Sequence, residues 1–219
     1  MSAHDNSALA FDRVADRHDH MRWDCPPGAF DVEVQRELAR LAQRPKGTAL
    51  FLGSGSGREV ADFAANGWRC DLVDISSRMV ELARSRFIHT QVHLSQVYIY
   101  RCDALRFLAQ SSGKYDLVAM VGELLGYVQS PPRLLAEVAD HIGPKGKAIF
   151  TWVDSTRLDE AEPTDAPGTV LFREREDLVI HAWTEAIMDS HLRAAGLNRT
   201  KDVAAESDSP RRCWEAGRE

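Results

Sequence analysis

ALFLGSGSGREV, residues 49–60, is the stretch that decides the fold of this 219-residue chain. An apolar run ends abruptly in three alternating glycines, a pattern typical of a buried parallel strand that turns sharply into a helix. Because glycine has no Cβ, Gly53, Gly55 and Gly57 allow the backbone to lie directly against a ligand. The amides that begin the following helix, from Arg58 to about Asn66, point back at this loop and favour ligand oxygens.

A second apolar strand, Cys70–Val73, follows that helix and ends in Asp74. A carboxylate at this tip can accept hydrogen bonds from both hydroxyls of a ribose. Strand, glycine loop, helix, strand and acid in this order predict a nucleoside site. The dinucleotide pattern G-x-G-x-x-G would place its third glycine where Arg58 stands, whereas here it comes one position earlier, at Gly57.

The G-x-G-x-G spacing with Asp74 resembles the S-adenosylmethionine (SAM) site of class I, Rossmann-like methyltransferases of the small-molecule type. In that family the glycine loop lies under the methionine part of SAM, and the acid holds the ribose. The alternative for the loop alone is an ordinary tight turn. The resemblance implies SAM as the cofactor, and the residues expected to contact it here are Gly53, Ser54, Gly55, Gly57, Asp74 and Ile75.

Composition narrows the class of protein. The formal net charge of −6 argues against a nucleic-acid partner. No run of about 18 apolar residues predicts a membrane span, and the first residues show no apolar signal region, so we expect a cytoplasmic protein. Cys25, Cys70, Cys102 and Cys213 are scattered without a C-x-x-C pair, which favours reduced thiols over disulfides or zinc.

The segment Phe11–Trp23 has the spacing of a short amphipathic helix, preceded by a loose tail over residues 1–10. It resembles the F-D-x-x-A-x-x-Y-D lead-in of many small-molecule methyltransferases, which closes over the SAM site. His18 stands where that pattern has tyrosine, and is therefore a candidate cofactor contact. The alternative for His18, His20 and Trp23 is a solvated or packing helix face.

The helix after Asp74 is expected to span Ser77–Phe87, with Ser76 as its N-cap. Met79 faces inward on it. In the resembling family this position often covers the adenosine, and core packing is the alternative. His89 and His93 stand four residues apart without an accompanying acid, so we expect no metal site.

A third strand, Val97–Arg101, delivers Asp103. An acid directly after the third strand lies near the adenine edge in this topology, where its oxygen can accept a hydrogen bond from the exocyclic amine. The resemblance implies the same arrangement, with Ala104 beside it. The alternative is an N-cap for the helix Ala104–Gln110, and the two roles are compatible.

A fourth strand, Tyr115–Val121, breaks at Gly122 and puts Glu123 at its carboxyl end, where open α/β sheets bind ligands. The segment resembles the fourth strand of class I methyltransferases, whose tip faces the methyl group and the acceptor. Val121 and Gly122 are therefore expected in the cofactor site. Glu123 is the first catalytic candidate, to orient the acceptor or draw off a proton. The alternative is a charge that satisfies helix N-terminal amides.

The later chain contains an acidic loop, Asp154–Pro167, and a hairpin of Thr169–Arg173 with Leu178–Trp183. In the resembling family, variable segments here shape the acceptor pocket, so 154–182 is interpreted as a substrate-pocket insertion. His181 is the second catalytic candidate, as a general base, because histidine titrates near neutrality. A structural histidine on a strand is the alternative.

The pattern as a whole predicts an α/β fold. The helix Pro131–Ile142, the turn Gly143–Lys147 and the strand Ala148–Val153 complete five strand–helix repeats, which indicate a parallel sheet. Two further strands, Leu197–Val203 and Arg212–Glu215, follow a helix over Thr184–Ala195. We expect a Rossmann-like three-layer sandwich with a mostly parallel seven-stranded sheet and an antiparallel C-terminal edge strand, in one domain, 1–219, with 1–45 as an N-terminal helical cap.

One position departs from the resembling family, which carries an acid two residues before the first loop glycine. Here that residue is Phe51, so Glu123 or the N-terminal segment is expected to help hold the methionine amino group. The expected function is methyl transfer from SAM to a small-molecule acceptor, at an O, N or C atom. The alternatives are a SAM-binding protein with another catalytic or a regulatory role, and an NAD(P)-dependent oxidoreductase, against which the glycine spacing argues.

Overall fold

The computed structural model describes residues 8–15, 28–89, 96–128, 130–159, 161–164, 169–175 and 178–218, and the structural statements below concern these ranges. The helices are α1 (8–15), α2 (Ala29–Ala42), α3 (Ala61–Ala65), α4 (Ser77–His89), α5 (Ala104–Gln110), α6 (Leu124–Tyr127), α7 (Pro131–His141) and α8 (Glu185–Ala194). The strands are β1 (Thr48–Leu52), β2 (Arg69–Asp74), β3 (Val97–Arg101), β4 (Tyr115–Met120), β5 (Ile142–Val153), β6 (Glu162–Pro163), β7 (Thr169–Arg175), β8 (Leu178–Trp183), β9 (Asn198–Asp202) and β10 (Arg211–Gly217).

Seven strands form one twisted sheet in the order β3-β2-β1-β4-β5-β10-β9. Strands β1 to β5 are parallel, β10 pairs antiparallel with β5, and the edge strand β9 pairs antiparallel with β10. This confirms the predicted mostly parallel, seven-stranded α/β fold. The strand order reverses between β1 and β4, so the carboxyl ends of these strands border a crevice where ligands bind in such sheets.

The sheet is covered on both faces, because the side chains of its central strands alternate between two cores. Leu50 and Leu52 of β1 point into a core formed with α5, α7 and α8. Ala49 and Phe51 point into the opposite core, formed with α2, α3 and α4. Each large apolar side chain buried in this way contributes about 1.5–3 kcal/mol. The three-layer arrangement follows from this near-continuous apolar character.

The start of the fifth strand was predicted wrongly. Strand β5 already begins at Ile142, so the G-P-K-G segment that we expected as a turn lies within it. The pairing with β4 shifts between Tyr115 and Leu117, which leaves the segment as a bulge. A Cβ on Gly146 would lie 2.5 Å from the Tyr115 carbonyl oxygen, so the close approach of the two strands requires glycine there.

Two other expectations differ from the structure. Helix α1 begins at residue 8, within the segment predicted as a loose tail. The segment predicted as an acidic loop after β5 contains regular structure: a 3-10 turn, Ser155–Arg157, and strand β6. Asp154 is buried and accepts hydrogen bonds from the amide (3.0 Å) and hydroxyl (2.7 Å) of Thr156, which explains the turn.

The predicted hairpin is confirmed, since β7 pairs antiparallel with β8 and β6 joins them in a second, three-stranded sheet. A bridge between Asp154 and Trp183 attaches this sheet to the carboxyl end of β5. Its assignment as a substrate-pocket insertion stays a prediction. In the described ranges, no helix is both long and apolar enough to cross a membrane.

Candidate functional site

A cavity opens at the carboxyl ends of the central parallel strands. The described residues that line it are Phe11, Gly53, Ser54, Gly55, Ser56, Arg58, Glu59, Val73, Asp74, Ile75, Met79, Cys102, Asp103, Ala104, Val121, Gly122, Leu124, Tyr127 and Val128.

The glycine loop forms one wall of this cavity. Gly53 and Gly55 line it and have φ angles of +64° and +53°, in the left-handed region that favours glycine. The amide of Ser54 donates to the carbonyl of Val73 (3.1 Å), which ties the loop to β2. On the other side, Nε of Arg86 donates to the carbonyl of Ser56 (3.0 Å). The loop is therefore held in shape from both sides.

The third glycine of the motif does not line the cavity. Gly57 has φ +72°, and a Cβ there would lie 2.9 Å from Cε2 of Phe87 and 3.1 Å from Cδ2 of Leu72. Helix α4 and strand β2 therefore pack directly against its backbone. The structure explains Gly57 by packing and backbone conformation, and places it behind the cavity wall, where we had expected a direct cofactor contact.

Asp74 lines the cavity and is largely buried. Its Oδ2 accepts from the Gly55 amide (2.8 Å) and its Oδ1 from the Ser76 amide (2.9 Å). Because a carboxylate can accept about four hydrogen bonds, Asp74 can also accept from a ligand hydroxyl. Burial raises the pKa of Asp74 above its ordinary value, and the nearby charge of Asp12 acts in the same direction.

Asp103 has both features that the sequence suggested. Its carboxylate accepts from the Arg106 amide (3.0 Å) and caps α5, and the residue also lines the cavity. Ile75, Met79 and Ala104 supply apolar walls at the same end. Side chains of this kind can sandwich a flat heterocycle while a carboxylate oxygen binds its edge.

Helix α1 covers part of the cavity and is attached through Asp12. This carboxylate accepts from the hydroxyls of Ser76 (2.5 Å) and Ser77 (3.1 Å) and from the amide of Arg78 (3.1 Å). Partial burial acts to raise the pKa of Asp12, but these hydrogen bonds outweigh it and hold the pKa below its ordinary value. At the mouth, Phe11 packs edge-on against Tyr127, with ring centroids 5.2 Å apart.

Glu123, the first catalytic candidate, is not among the described residues of the cavity wall. It has a left-handed φ of +60° and is buried. Its carboxylate lies in a small neighbouring pocket, 3.9 Å from a guanidinium nitrogen of Arg211. Its side chain also makes no capping hydrogen bond to α6, so it does not satisfy the N-terminal amides of that helix, which was the alternative role. This pocket adjoins the cavity, because both are lined by Arg58, Glu59, Val121 and Gly122.

His181, the second catalytic candidate, also lies outside the described cavity wall. Its Nδ1 is 3.2 Å from the carbonyl oxygen of Gly126, and its ring stacks on Trp183 at 6.2 Å. The contact with Gly126 attaches β8 to α6, whereas the ring contact lies within β8; both suit a structural histidine. The proposed cofactor contact of His18, with His20 and Trp23, lies outside the described residues.

Several cavity residues were missed by the sequence reasoning. Arg58 and Glu59 directly follow the glycine loop, and a charged pair at that place is a signal that could have been used. The others give weaker signals, because they are apolar or small residues in local patterns that also suit a core: Phe11, Ser56, Val73, Cys102, Leu124, Tyr127 and Val128. Within the described ranges, no three His, Cys, Asp or Glu side chains form a group that could hold a metal ion.

The sheet order, with the cavity at its switch point, defines a Rossmann-like α/β fold. Among solved structures, CcbJ methyltransferase from Streptomyces caelestis superposes with a TM-score of 0.72 at 14% identity, covering 94% of this chain and 96% of that one. Magnesium protoporphyrin IX methyltransferase (ChlM) from Synechocystis PCC 6803, with bound SAM, gives a TM-score of 0.71 at 16% identity, with 100% and 98% covered. These likenesses show a class I methyltransferase fold.

The sequence itself identifies the family. Residues 28–201 match the family model described as a methyltransferase domain, and the chain belongs to this family. A curated relative, a ubiquinone biosynthesis O-methyltransferase from Coxiella burnetii, is 26% identical over 105 residues, which is 48% of this chain and 43% of that protein. The match thus spans less than half the length of this relative.

Proposed function

We propose that this protein transfers a methyl group from SAM to a small-molecule acceptor. The observation that carries the proposal is the placement of Asp74, whose two carboxylate oxygens are acceptors at the cavity wall and are held there by the amides of Gly55 and Ser76. A ribose presents two adjacent hydroxyls that match this pair of acceptors. Membership of the methyltransferase family supports the same function.

The residues present fit the whole cofactor. Asp74 would hold the ribose, and Asp103 would accept from the adenine amine between the apolar side chains of Ile75 and Met79. The remaining residues proposed to bind it lie beside the adenine or under the methionine part: Ala104, Gly53, Ser54, Gly55, Val121 and Gly122.

The chemistry asks little of the side chains. When bound, SAM supplies a methyl group that its sulfonium has already activated, so the enzyme must align the acceptor and exclude water. Helix α1, held by Asp12, and the contact between Phe11 and Tyr127 cover the cavity and support this role. Because Glu123 and His181 lie outside the described wall, we propose catalysis by alignment and assign neither as a base.

The acceptor is proposed to be a small molecule. Phe11, Leu124, Tyr127 and Val128 give part of the wall an apolar and aromatic character that suits an uncharged organic group. A structurally similar methyltransferase from Burkholderia thailandensis (TM-score 0.65, 16% identity, covering 100% of this chain and 92% of that one) was crystallised with 1,6-didemethyltoxoflavin. The acidic net charge disfavours nucleic acid, and the free thiols among the described cysteines support a cytoplasmic location.

Titration calorimetry with SAM, S-adenosylhomocysteine and NAD tests the cofactor, and mass spectrometry of a metabolite panel tests for the gain of one methyl group. Asp74→Ala should weaken SAM binding by about tenfold or more while the fold is kept, because it removes hydrogen bonds to a charged acceptor. Asp62→Ala, on the exposed side of α3, is the matched control and should bind normally. Binding of NAD without SAM, or a folded Asp74→Ala with unchanged affinity, would contradict the proposal.

A further inference from the structure

Two oppositely charged side chains line the cavity directly after the glycine loop. Nη2 of Arg58 lies 3.4 Å from Oε1 of Glu59, and the two side chains are only 19% and 21% exposed. Charges that are partly shielded from water interact with a ligand charge more strongly than exposed ones do. The pair is therefore placed to bind a charged group inside the cavity.

The position of the pair along the sheet indicates which part of the cofactor it meets. Asp103 follows β3 and Asp74 ends β2, whereas Arg58 and Glu59 follow β1, the next strand in the order β3-β2-β1-β4. A nucleoside with its base near Asp103 and its ribose at Asp74 extends its 5′ substituent toward β1 and β4. In SAM that substituent ends in an α-amino acid group, which is a zwitterion.

The resembling family carries an acid two residues before the first loop glycine, which helps hold the amino group of SAM. The residue at that position here cannot take this role. The side chain of Phe51 is buried in the core beside α2 and α3, with its ring 5.3 Å from that of Phe63. Glu123, which we expected to substitute, has its carboxylate near Arg211 in the neighbouring pocket. Among the described residues that line the cavity, Glu59 is the acid that follows the glycine loop along the chain, and it also lines the neighbouring pocket.

We propose that Glu59 binds the α-ammonium group of the cofactor and that Arg58 binds its α-carboxylate. The inference rests on the function proposed above and adds two binding residues to it. A zwitterion carries both charges on one carbon, and these two neighbouring residues of opposite charge offer a partner for each. The planar guanidinium suits a carboxylate in particular, because it can donate two parallel hydrogen bonds.

Calorimetry with ligands that differ only in the α-amino acid group of the cofactor tests the proposal. Glu59→Gln should weaken S-adenosylhomocysteine by about tenfold or more, because one charge-assisted hydrogen bond is lost. The same variant should change the affinity for 5′-methylthioadenosine by less than about twofold, since that ligand lacks the amino acid group. Arg58→Gln should abolish the preference for SAM over decarboxylated SAM, which has the amine and no carboxylate.

Glu81→Gln is the matched control, because Glu81 pairs with Arg78 (2.9 Å) on the exposed surface of α4. It should bind every ligand as the wild type does. Equal losses for S-adenosylhomocysteine and 5′-methylthioadenosine in folded Glu59→Gln, or no loss for either, would overturn the inference. Failure of the wild type to bind S-adenosylhomocysteine would instead overturn the proposed function.

A second measurement uses the wild-type protein with a modified ligand, so it tests the role of Glu59 even if Glu59→Gln does not fold. N-acetylation of S-adenosylhomocysteine removes the positive charge of its amine. The wild type should bind the acetylated ligand about tenfold more weakly or worse, as the loss of a charge-assisted contact predicts. Equal affinities for the two ligands would overturn the role of Glu59.

Discussion

Replacement of Gly57 by alanine separates packing from ligand binding within the glycine motif. Two costs add in this variant. Alanine at a φ of +72° is strained by about 1–2 kcal/mol. The new Cβ would also lie 2.9 Å from the ring of Phe87 and 3.1 Å from Leu72, and overpacking of a core costs about 1–3 kcal/mol. We therefore expect a free energy of unfolding lower by about 2–5 kcal/mol.

Gly196→Ala provides the control, because Gly196 has φ +70° and, its chain neighbours aside, no atom of the described residues lies within 4 Å of the site of its Cβ. It carries the backbone cost of about 1–2 kcal/mol alone. Urea denaturation of both variants measures the difference, which we expect to be about 1–3 kcal/mol. In thermal melts, each kcal/mol lowers the Tm by about 2–4 °C in a chain of this size.

A double-mutant cycle identifies the contact responsible. Phe87→Leu removes the Cε2 atom that the new Cβ would meet, so it should cost less in the Gly57→Ala background than in the wild type. The expected coupling is at least about 0.5 kcal/mol, the range found for residues in contact. Equal losses of stability in Gly57→Ala and Gly196→Ala, or additive effects in the cycle, would refute the packing role of Gly57.

Two further predictions concern the cavity. Burial, and to a lesser extent the charge of Asp12, raises the pKa of Asp74, so its carboxylate gains a proton at a higher pH than an ordinary aspartate does. Affinity for 5′-methylthioadenosine should therefore be full above that pKa and fall as the pH is lowered through it. Asp74→Asn should bind this ligand weakly and without the pH dependence. The same fall with pH in Asp74→Asn would contradict the assignment. His181→Gln should lower kcat by less than about tenfold, because we do not assign His181 as a general base, whose loss typically costs about 10²–10⁴-fold. A loss in that larger range, in a variant with normal SAM affinity, would show that His181 belongs to the catalytic site.

The fold could be predicted from the sequence because its signals are local. The apolar run before Gly53 and the acid at Asp74 each specify a strand end, and parallel strands place such ends at one edge of the sheet. The start of β5 was missed for the opposite reason. The bulge at Gly146 depends on the carbonyl of Tyr115, a residue far away in sequence, and no local pattern contains that contact.

The same contrast between local signals and distant contacts applies to the residues of the site. Gly53, Gly55 and Asp103 line the cavity because their positions at strand ends fix where their backbones lie. Position does not fix the direction of a side chain. Glu123 also follows a strand end, yet its carboxylate is near Arg211. For such residues the sequence predicts the neighbourhood, and the packing of other elements decides which way the side chain points.

The turn at Glu123 shows how the protein stabilises a strained strand end beside the cavity. A non-glycine residue with φ +60° costs about 1–2 kcal/mol. The hydroxyl oxygen of Thr151 accepts hydrogen bonds from the amides of Gly122 and Glu123, both at 2.9 Å, and each bond returns about 0.5–1.5 kcal/mol. The two contributions are similar in size, so Thr151 of β5 can hold this conformation. It thereby fixes Val121 and Gly122, which line the cavity, at the strand end where we propose that cofactor and acceptor meet.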